Sequence, residues 1–259
     1  MSIYKDILKW ADKQGQVESR LEPDEMPEEA HHPLPGDMPR PLASDLQVLQ
    51  ENIEALRSQG TFKTVLFTGA VRGEGTSTMA ANWARLLARD RMTGLPLGAL
   101  DDAAGGILVI DSNLRRPVLH SLFDLDRKRG LTEVLQGELK LDQVLKGTPR
   151  RDLWVVTAGK PAANPADHLG SPVMKALLDE CRQRFDFIIM DSAPVTLYAE
   201  TLALAKQAEA IVMVVRAGKT RWEVALSARN QLQKVNSRIL GVVLNRRSYI
   251  IPEWVYRRI

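Results

Sequence analysis

Residues Gly69-Ala-Val-Arg-Gly-Glu-Gly-Thr-Ser-Thr78, set directly after the apolar run Thr64-Val-Leu-Phe-Thr68, constrain the fold of this 259-residue chain more than any other stretch. From Ala70 to Ser77 they follow the phosphate-binding loop pattern, except that Thr76 stands where the pattern has lysine. A glycine-rich turn between a strand and a helix aims several backbone N–H groups at one point, and the helix N-terminus adds partial positive charge there. The segment Thr78-Met-Ala-Ala-Asn-Trp-Ala-Arg-Leu-Leu-Ala88 spaces its apolar residues as a helix does, so strand, loop and helix come in the required order. Gly73, Gly75, Thr76, Ser77 and Thr78 are therefore the candidate phosphate-side residues, and Arg72 is the candidate cation in place of the lysine. A ligand-free glycine turn inside an ordinary strand-helix unit is the alternative for this segment taken alone.

Two further apolar runs, Ile107-Leu-Val-Ile-Asp111 and Phe187-Ile-Ile-Met-Asp191, each end in a single aspartate. Buried parallel strands read this way, and in open α/β sheets the ligand lies at their carboxyl ends. Asp111 and Asp191 are thus expected to converge with the glycine loop on one phosphate and its Mg²⁺. For either residue singly, capping the next helix is the competing role. The remaining pattern predicts strands near 64–68, 107–110, 153–157, 187–190, 210–215 and 239–244. It predicts helices over 77–89, 172–184, 197–207 and 221–235. Such alternation specifies a doubly wound, mainly parallel sheet with helices on both faces, of the P-loop NTPase type. Residues 91–106 fit poorly and read as a surface loop that lengthens the connection into the second strand.

The segment Val109-Ile-Asp111-Ser-Asn113-Leu-Arg115-Arg116-Pro117 resembles the second acidic motif, Walker A′, of the bacterial tyrosine kinases. The likeness continues through Leu122-Phe-Asp-Leu125, Arg129-Gly-Leu-Thr-Glu-Val-Leu-Gln-Gly137 and Ala158-Gly-Lys-Pro-Ala-Ala-Asn-Pro-Ala-Asp-His-Leu-Gly-Ser171. It includes the Walker B-like Phe185-Asp-Phe-Ile-Ile-Met-Asp191-Ser-Ala-Pro194, then Val214-Val-Arg-Ala-Gly-Lys-Thr220 and Gly241-Val-Val-Leu-Asn245, and so runs from about Ser44 to Asn245. The resemblance implies a cytoplasmic ATP-dependent domain serving capsule or exopolysaccharide biosynthesis and export, beside or fused to a membrane chain-length regulator. It implies that Asp111 and Asp191 manage Mg²⁺ and the attacking hydroxyl, that Ser77 ligates Mg²⁺, and that Asn245 lies near the adenine.

Four departures from that family fall on chemistry and assembly. Thr76 replaces the lysine, and Asn113 stands where a second aspartate is usual. The E-x-x-R-x-x-R helix used for ring assembly is represented by Ser44, Gln47 and Gln50, which lack its charges, and the tail offers Tyr249 and Tyr256 in place of a tyrosine cluster. One charge-assisted hydrogen bond contributes roughly 1.5–3 kcal/mol, so losing the lysine weakens ATP or ADP binding about tenfold to a hundredfold. Transfer is harder to rescue, because asparagine cannot accept a proton as aspartate does and arginine does not present lysine's point charge. The expected function is a catalytically impaired member acting as a regulatory or scaffold partner of a chain-length regulator or of an active tyrosine kinase. An active autokinase is one alternative. A positioning-type P-loop ATPase is another, but it requires a second lysine early in the loop, where Val71 stands.

Apolar residues make up 44% of the chain and charged residues 26%, which suits a globular α/β core rather than a disordered or fibrous chain. The formal charge is +3 and the cations are scattered without an aromatic stripe, which argues against a nucleic-acid partner. A lone Cys181 excludes an internal disulfide and fits a reducing compartment. No Cys/His cluster for zinc occurs; His31 and His32 sit in a polar stretch. No apolar run approaches a membrane span. Ile3, Ile7 and Trp10 are spaced as one face of an amphipathic helix over residues 1–16, which either covers its own domain or, through residues 1–14, contacts a membrane surface or partner. Residues 17–41, acidic and then proline-rich, read as a flexible tether to a P-loop domain over 42–259.

Overall fold

The computed structural model describes Leu49, Ile53 and residues 62–92, 105–235 and 238–246. The helix expected over 1–16, the tether over 17–41, Ser44, Gln47, Gln50, most of the 91–106 insert and both tail tyrosines lie outside these residues.

The described residues form one seven-stranded sheet: β1 (Thr64–Gly69), β2 (Ile107–Asp111), β3 (Lys146–Gly147), β4 (Leu153–Val156), β5 (Phe187–Asp191), β6 (Ala210–Arg216) and β7 (Ile239–Asn245). Their order is β3-β4-β2-β5-β1-β6-β7. Every neighbouring pair is parallel except β3 with β4. The helices are α1 (Thr76–Met92), α2 (Leu119–Leu122), α3 (Leu131–Leu135), α4 (Leu141–Val144), α5 (Pro165–Leu169), α6 (Pro172–Arg184), α7 (Ala199–Gln207) and α8 (Trp222–Lys234).

Successive strand residues point to opposite faces, and each face has its own apolar layer. Val65, Phe67, Val109, Ile189 and Val212 pack with Ala80, Trp83, Ala84 and Leu87 of α1 and with Leu119 and Leu122 of α2. Leu66, Leu108, Ile110, Ile188, Met190 and Ile211 pack on the other side with Met174, Leu178 and Cys181 of α6, Leu204 of α7, and Ala228 and Leu232 of α8. Both faces are covered, so β1, β2 and β5 are buried along their whole length, which is why they read as unbroken apolar runs. Trp83 anchors the first layer, its ring 5.3 Å from Phe67 and 5.2 Å from Phe187. The start of α6 is written in the sequence: the Ser171 hydroxyl accepts from the Met174 amide at 3.2 Å, and Pro172 opens the first turn.

The structure departs from the expected elements at several ends and connections. The first helix runs to Met92, and the helix expected from 197 begins at Ala199, because Leu197 closes a turn onto the Pro194 carbonyl at 3.2 Å. The short helices α2 to α5 and the two-residue edge strand β3 had no counterpart in the sequence reading, since four or five residues are too few to display a helical period.

Candidate nucleotide site

The parallel register places the site. β1 lies between β5 and β6, and Asp111 is directly opposite Asp191 on adjoining strands, so both carboxylates stand at the sheet's carboxyl edge beside the glycine loop. Gly73 and Gly75 adopt φ of 79° and 82°, a left-handed backbone that a side chain disfavours. At Gly75 a Cβ would also collide with the Asn245 amide, whereas at Gly73 it would meet open space. α1 starts at Thr76, with the Met79 amide donating to the Gly75 carbonyl at 2.9 Å; the amides of its first turn, including Ser77 and Thr78, have no intrahelical acceptor and suit an anion.

Asp111 is fully buried. Its Oδ2 accepts from the Leu119 amide at 3.0 Å, at the start of α2, while Oδ1 has no hydrogen-bond partner. The capping role weighed against metal binding is thus occupied by one oxygen, and the other remains bare. Burial pushes the Asp111 carboxyl up to about 7, against the pull of the Leu119, Asn113 and Val118 amides and the Arg127 guanidinium. Asp191 is also fully buried, and neither oxygen meets hydrogen-bond geometry with a partner. Burial and the charge of Asp111 raise its pKa well above the carboxylate range; the nearby Ser77 hydroxyl and Ser192 amide offset only part of this. Three bare, buried carboxylate oxygens beside a hydroxyl fit a hard divalent cation. The described residues contain no group of three or more His, Cys, Asp or Glu suited to a metal, so a cation here would complete its shell with phosphate oxygens and water.

The other candidates take distinct places. The Arg72 guanidinium donates to the Tyr198 hydroxyl and stacks 5.6 Å from that ring's centre. Arg115 stacks on the same ring at 5.3 Å and pairs with buried Glu200 at 2.7 Å. Arg72 is therefore engaged at the rim by the segment after β5. The Asn113 side chain accepts from the Arg116 amide at 3.2 Å, closing a local turn. Asn245, expected near the adenine, donates through Nδ2 to the Glu74 carbonyl at 2.8 Å.

Sequence reasoning missed Glu74, Thr220, Tyr198, Glu200 and Arg127. Glu74 lay inside the loop at a position the motif leaves open, yet it is 1% exposed, with its carboxylate on the Val71 amide at 2.9 Å and the Thr220 hydroxyl at 2.6 Å. Thr220 lay inside a quoted motif, but nothing local announces its partner 146 residues away.

Comparison with known proteins agrees with this geometry. No protein-family model matches the chain. It is 33% identical over 208 residues to the tyrosine-protein kinase YwqD of Bacillus subtilis (strain 168), covering 80% of this chain and 82% of that one. It is 29% identical over 203 residues to the tyrosine-protein kinase ptk of Acinetobacter johnsonii, where it spans 26% of the longer relative. The VpsO kinase domain superposes with a TM-score of 0.70 at 26% identity, over 81% of this chain and 96% of that one. Sheet order, glycine loop and paired aspartates define a P-loop NTPase-type domain. Within that class, the chain belongs to the bacterial tyrosine kinase family.

Proposed function

We propose that this chain is a catalytically impaired, nucleotide-binding member of its family, acting in the cytoplasm as a regulatory or scaffold partner in capsule or exopolysaccharide biosynthesis. The observation that carries the reading is Thr76 in the lysine position with Arg72, the candidate substitute, engaged by Tyr198. In this reading the loop amides and Ser77 receive the phosphates of ATP or ADP, and Ser77, Asp111 and Asp191 hold Mg²⁺. Mg²⁺, when bound, supplies positive charge against the phosphate oxygens. The chain's own residues orient the nucleotide, and in an active chain Asp111 and Asp191 would be the carboxylates that manage the attacking hydroxyl. Without the lysine, nucleotide binding lacks one charge-assisted contact and is weaker for it. No helix among the described residues is long and apolar enough to cross a membrane. A membrane chain-length regulator is the first partner proposed. An active tyrosine kinase is the other partner the family resemblance suggests. Residues 1–14 are proposed as the membrane-facing or partner-facing contact, and a charged ring of copies is not expected from Ser44, Gln47 and Gln50.

The rival, an active autokinase, draws support from the two carboxylates being present and bare. The test is calorimetric titration of ADP and ATP with and without Mg²⁺, run beside a phosphotyrosine assay, for the natural chain and Thr76→Lys. Weak binding without phosphotyrosine, with affinity tightened about tenfold to a hundredfold by Thr76→Lys, is the expected result. Phosphotyrosine accumulating on the natural chain would make it an active kinase. No binding by either chain would remove nucleotide from the account.

A further inference from the structure

A carboxylate buried beneath a loop that receives anions is electrostatically adverse unless it holds something in place. Glu74 is such a group: burial raises its pKa, and the hydroxyl and amides around it offset the penalty only in part. Its Oε2 accepts the Val71 amide at 2.9 Å and its Oε1 accepts the Thr220 hydroxyl at 2.6 Å. Thr220 in turn accepts the Arg216 amide at 3.2 Å, which fixes it at the end of β6. The same residue's main chain is held from β7, where Asn245 donates to the Glu74 carbonyl at 2.8 Å and its own carbonyl accepts the Ala217 amide at 2.8 Å. The Glu74 carboxylate also fills the space under Gly69, where a Cβ would lie 2.5 Å from Oε2. Both ends of one loop residue are thus gripped by the turn after β6 and the end of β7, two elements from outside the phosphate motif.

We propose that Glu74 and Thr220 are positioning residues, which with Asn245 hold the phosphate loop in its anion-receiving shape before any nucleoside polyphosphate arrives. A lysine at this position normally reaches the β- and γ-phosphates of a bound nucleotide; here the shape of the loop is set in advance by buried hydrogen bonds, so the amides need no ordering on binding. The inference deepens the nucleotide reading above, but its structural half stands without a ligand.

Amide hydrogen exchange on the full chain without nucleotide tests it, using Thr220→Val, Thr220→Ser and Glu74→Gln beside the natural protein. The Val71 amide and the loop through Thr76 should exchange about tenfold faster in Thr220→Val, the factor matching one hydrogen bond's net contribution, with Thr220→Ser restoring protection. Glu74→Gln should speed the same amides, and β5 should keep its protection in all three. Unchanged loop exchange in both Thr220→Val and Glu74→Gln would overturn the proposal. Equal acceleration in β5 would also overturn it, because the contacts would then stabilise the whole fold. A titration with Mg²⁺ and ADP separates the two readings. If Thr220→Val binds about tenfold more weakly, both stand. If the natural chain binds nothing while the loop amides respond as stated, the positioning role stands and the nucleotide reading falls.

Discussion

Replacing Asp111 with asparagine should stabilise the ligand-free protein at neutral and alkaline pH, although it removes a residue of the candidate site. The carboxyl is fully buried, pushed from 3.8 to about 7, and lies opposite a second buried carboxyl on the next strand. A tenfold change in proton affinity corresponds to about 1.36 kcal/mol, so ionising the buried pair at Asp111 costs on the order of 4 kcal/mol at pH 8 as an upper bound. The sign follows from proton binding. Below pH 4 the group is protonated folded and unfolded and costs nothing; from about 4 to about 7 the unfolded chain releases the proton first, so stability falls as pH rises, and above 7 the full cost persists. Asparagine keeps an oxygen for the Leu119 amide and carries no charge. Chemical denaturation without Mg²⁺ or nucleotide should find Asp111→Asn more stable, by up to about 2 kcal/mol at pH 5 and up to about 4 kcal/mol at pH 8. Mg²⁺ with ADP should raise the stability of the natural chain more than that of the variant. A variant equal to or less stable than the natural chain at pH 8, or with the same slope between pH 5 and 8, would refute the claim that burial of unpaired charge dominates this pair.

Gly75→Ala should lose more than Gly73→Ala: both force a side chain into φ near 80°, costing about 1 kcal/mol or more, but only Gly75 also meets the Asn245 amide, so only Gly75→Ala should abolish ADP binding in a titration. Trp83→Ala should lower unfolding free energy by about 3–5 kcal/mol in guanidinium, since its ring fills the layer between Phe67 and Phe187; a loss below about 1 kcal/mol would mean the layer collapses into the space. Cys181, fully buried with its thiol pushed up to about 12, should resist a disulfide reagent at pH 8 until the protein unfolds, and rapid labelling of folded protein would show that α6 opens.

The sheet was legible because its central strands are buried on both faces. Val65 to Phe67, Ile107 to Ile110 and Phe187 to Met190 are apolar without interruption, and the glycines at 73 and 75 mark a left-handed turn directly after β1. Asp111 and Asp191 were legible by position, since each ends such a run. Their electrostatic state was not, because it depends on the facing register of β2 and β5 and on burial beneath α2. The grip on Glu74 was illegible for a similar reason: Thr220 and Asn245 reach it from 146 and 171 residues away. Short helices between residues 119 and 169 follow tertiary contacts more than any pattern of their own, as at α3, where the Glu133 carboxylate holds the Gly130 amide at 2.7 Å and the Lys160 amide at 3.0 Å.

The missing lysine and the bare aspartates bear on each other. In the ligand-free chain no lysine at position 76 helps to neutralise the buried pair, so the pair must retain a proton or accept a metal ion to escape mutual repulsion. A chain whose loop is held in shape by Glu74, Thr220 and Asn245 can still present its amides to phosphates, while the shortage of fixed positive charge falls hardest on a transition state in which charge moves between phosphate oxygens. Binding and transfer are therefore expected to respond differently to Thr76→Lys. Restored charge should tighten binding directly, but transfer also requires that Asn113, which closes a turn onto the Arg116 amide, not be needed as a second carboxylate. A Thr76→Lys chain that binds tightly and transfers nothing, with Thr76→Lys/Asn113→Asp gaining phosphotyrosine, would show that transfer needs both positions. Phosphotyrosine from Thr76→Lys alone, where the natural chain makes none, would show that it needs only the loop.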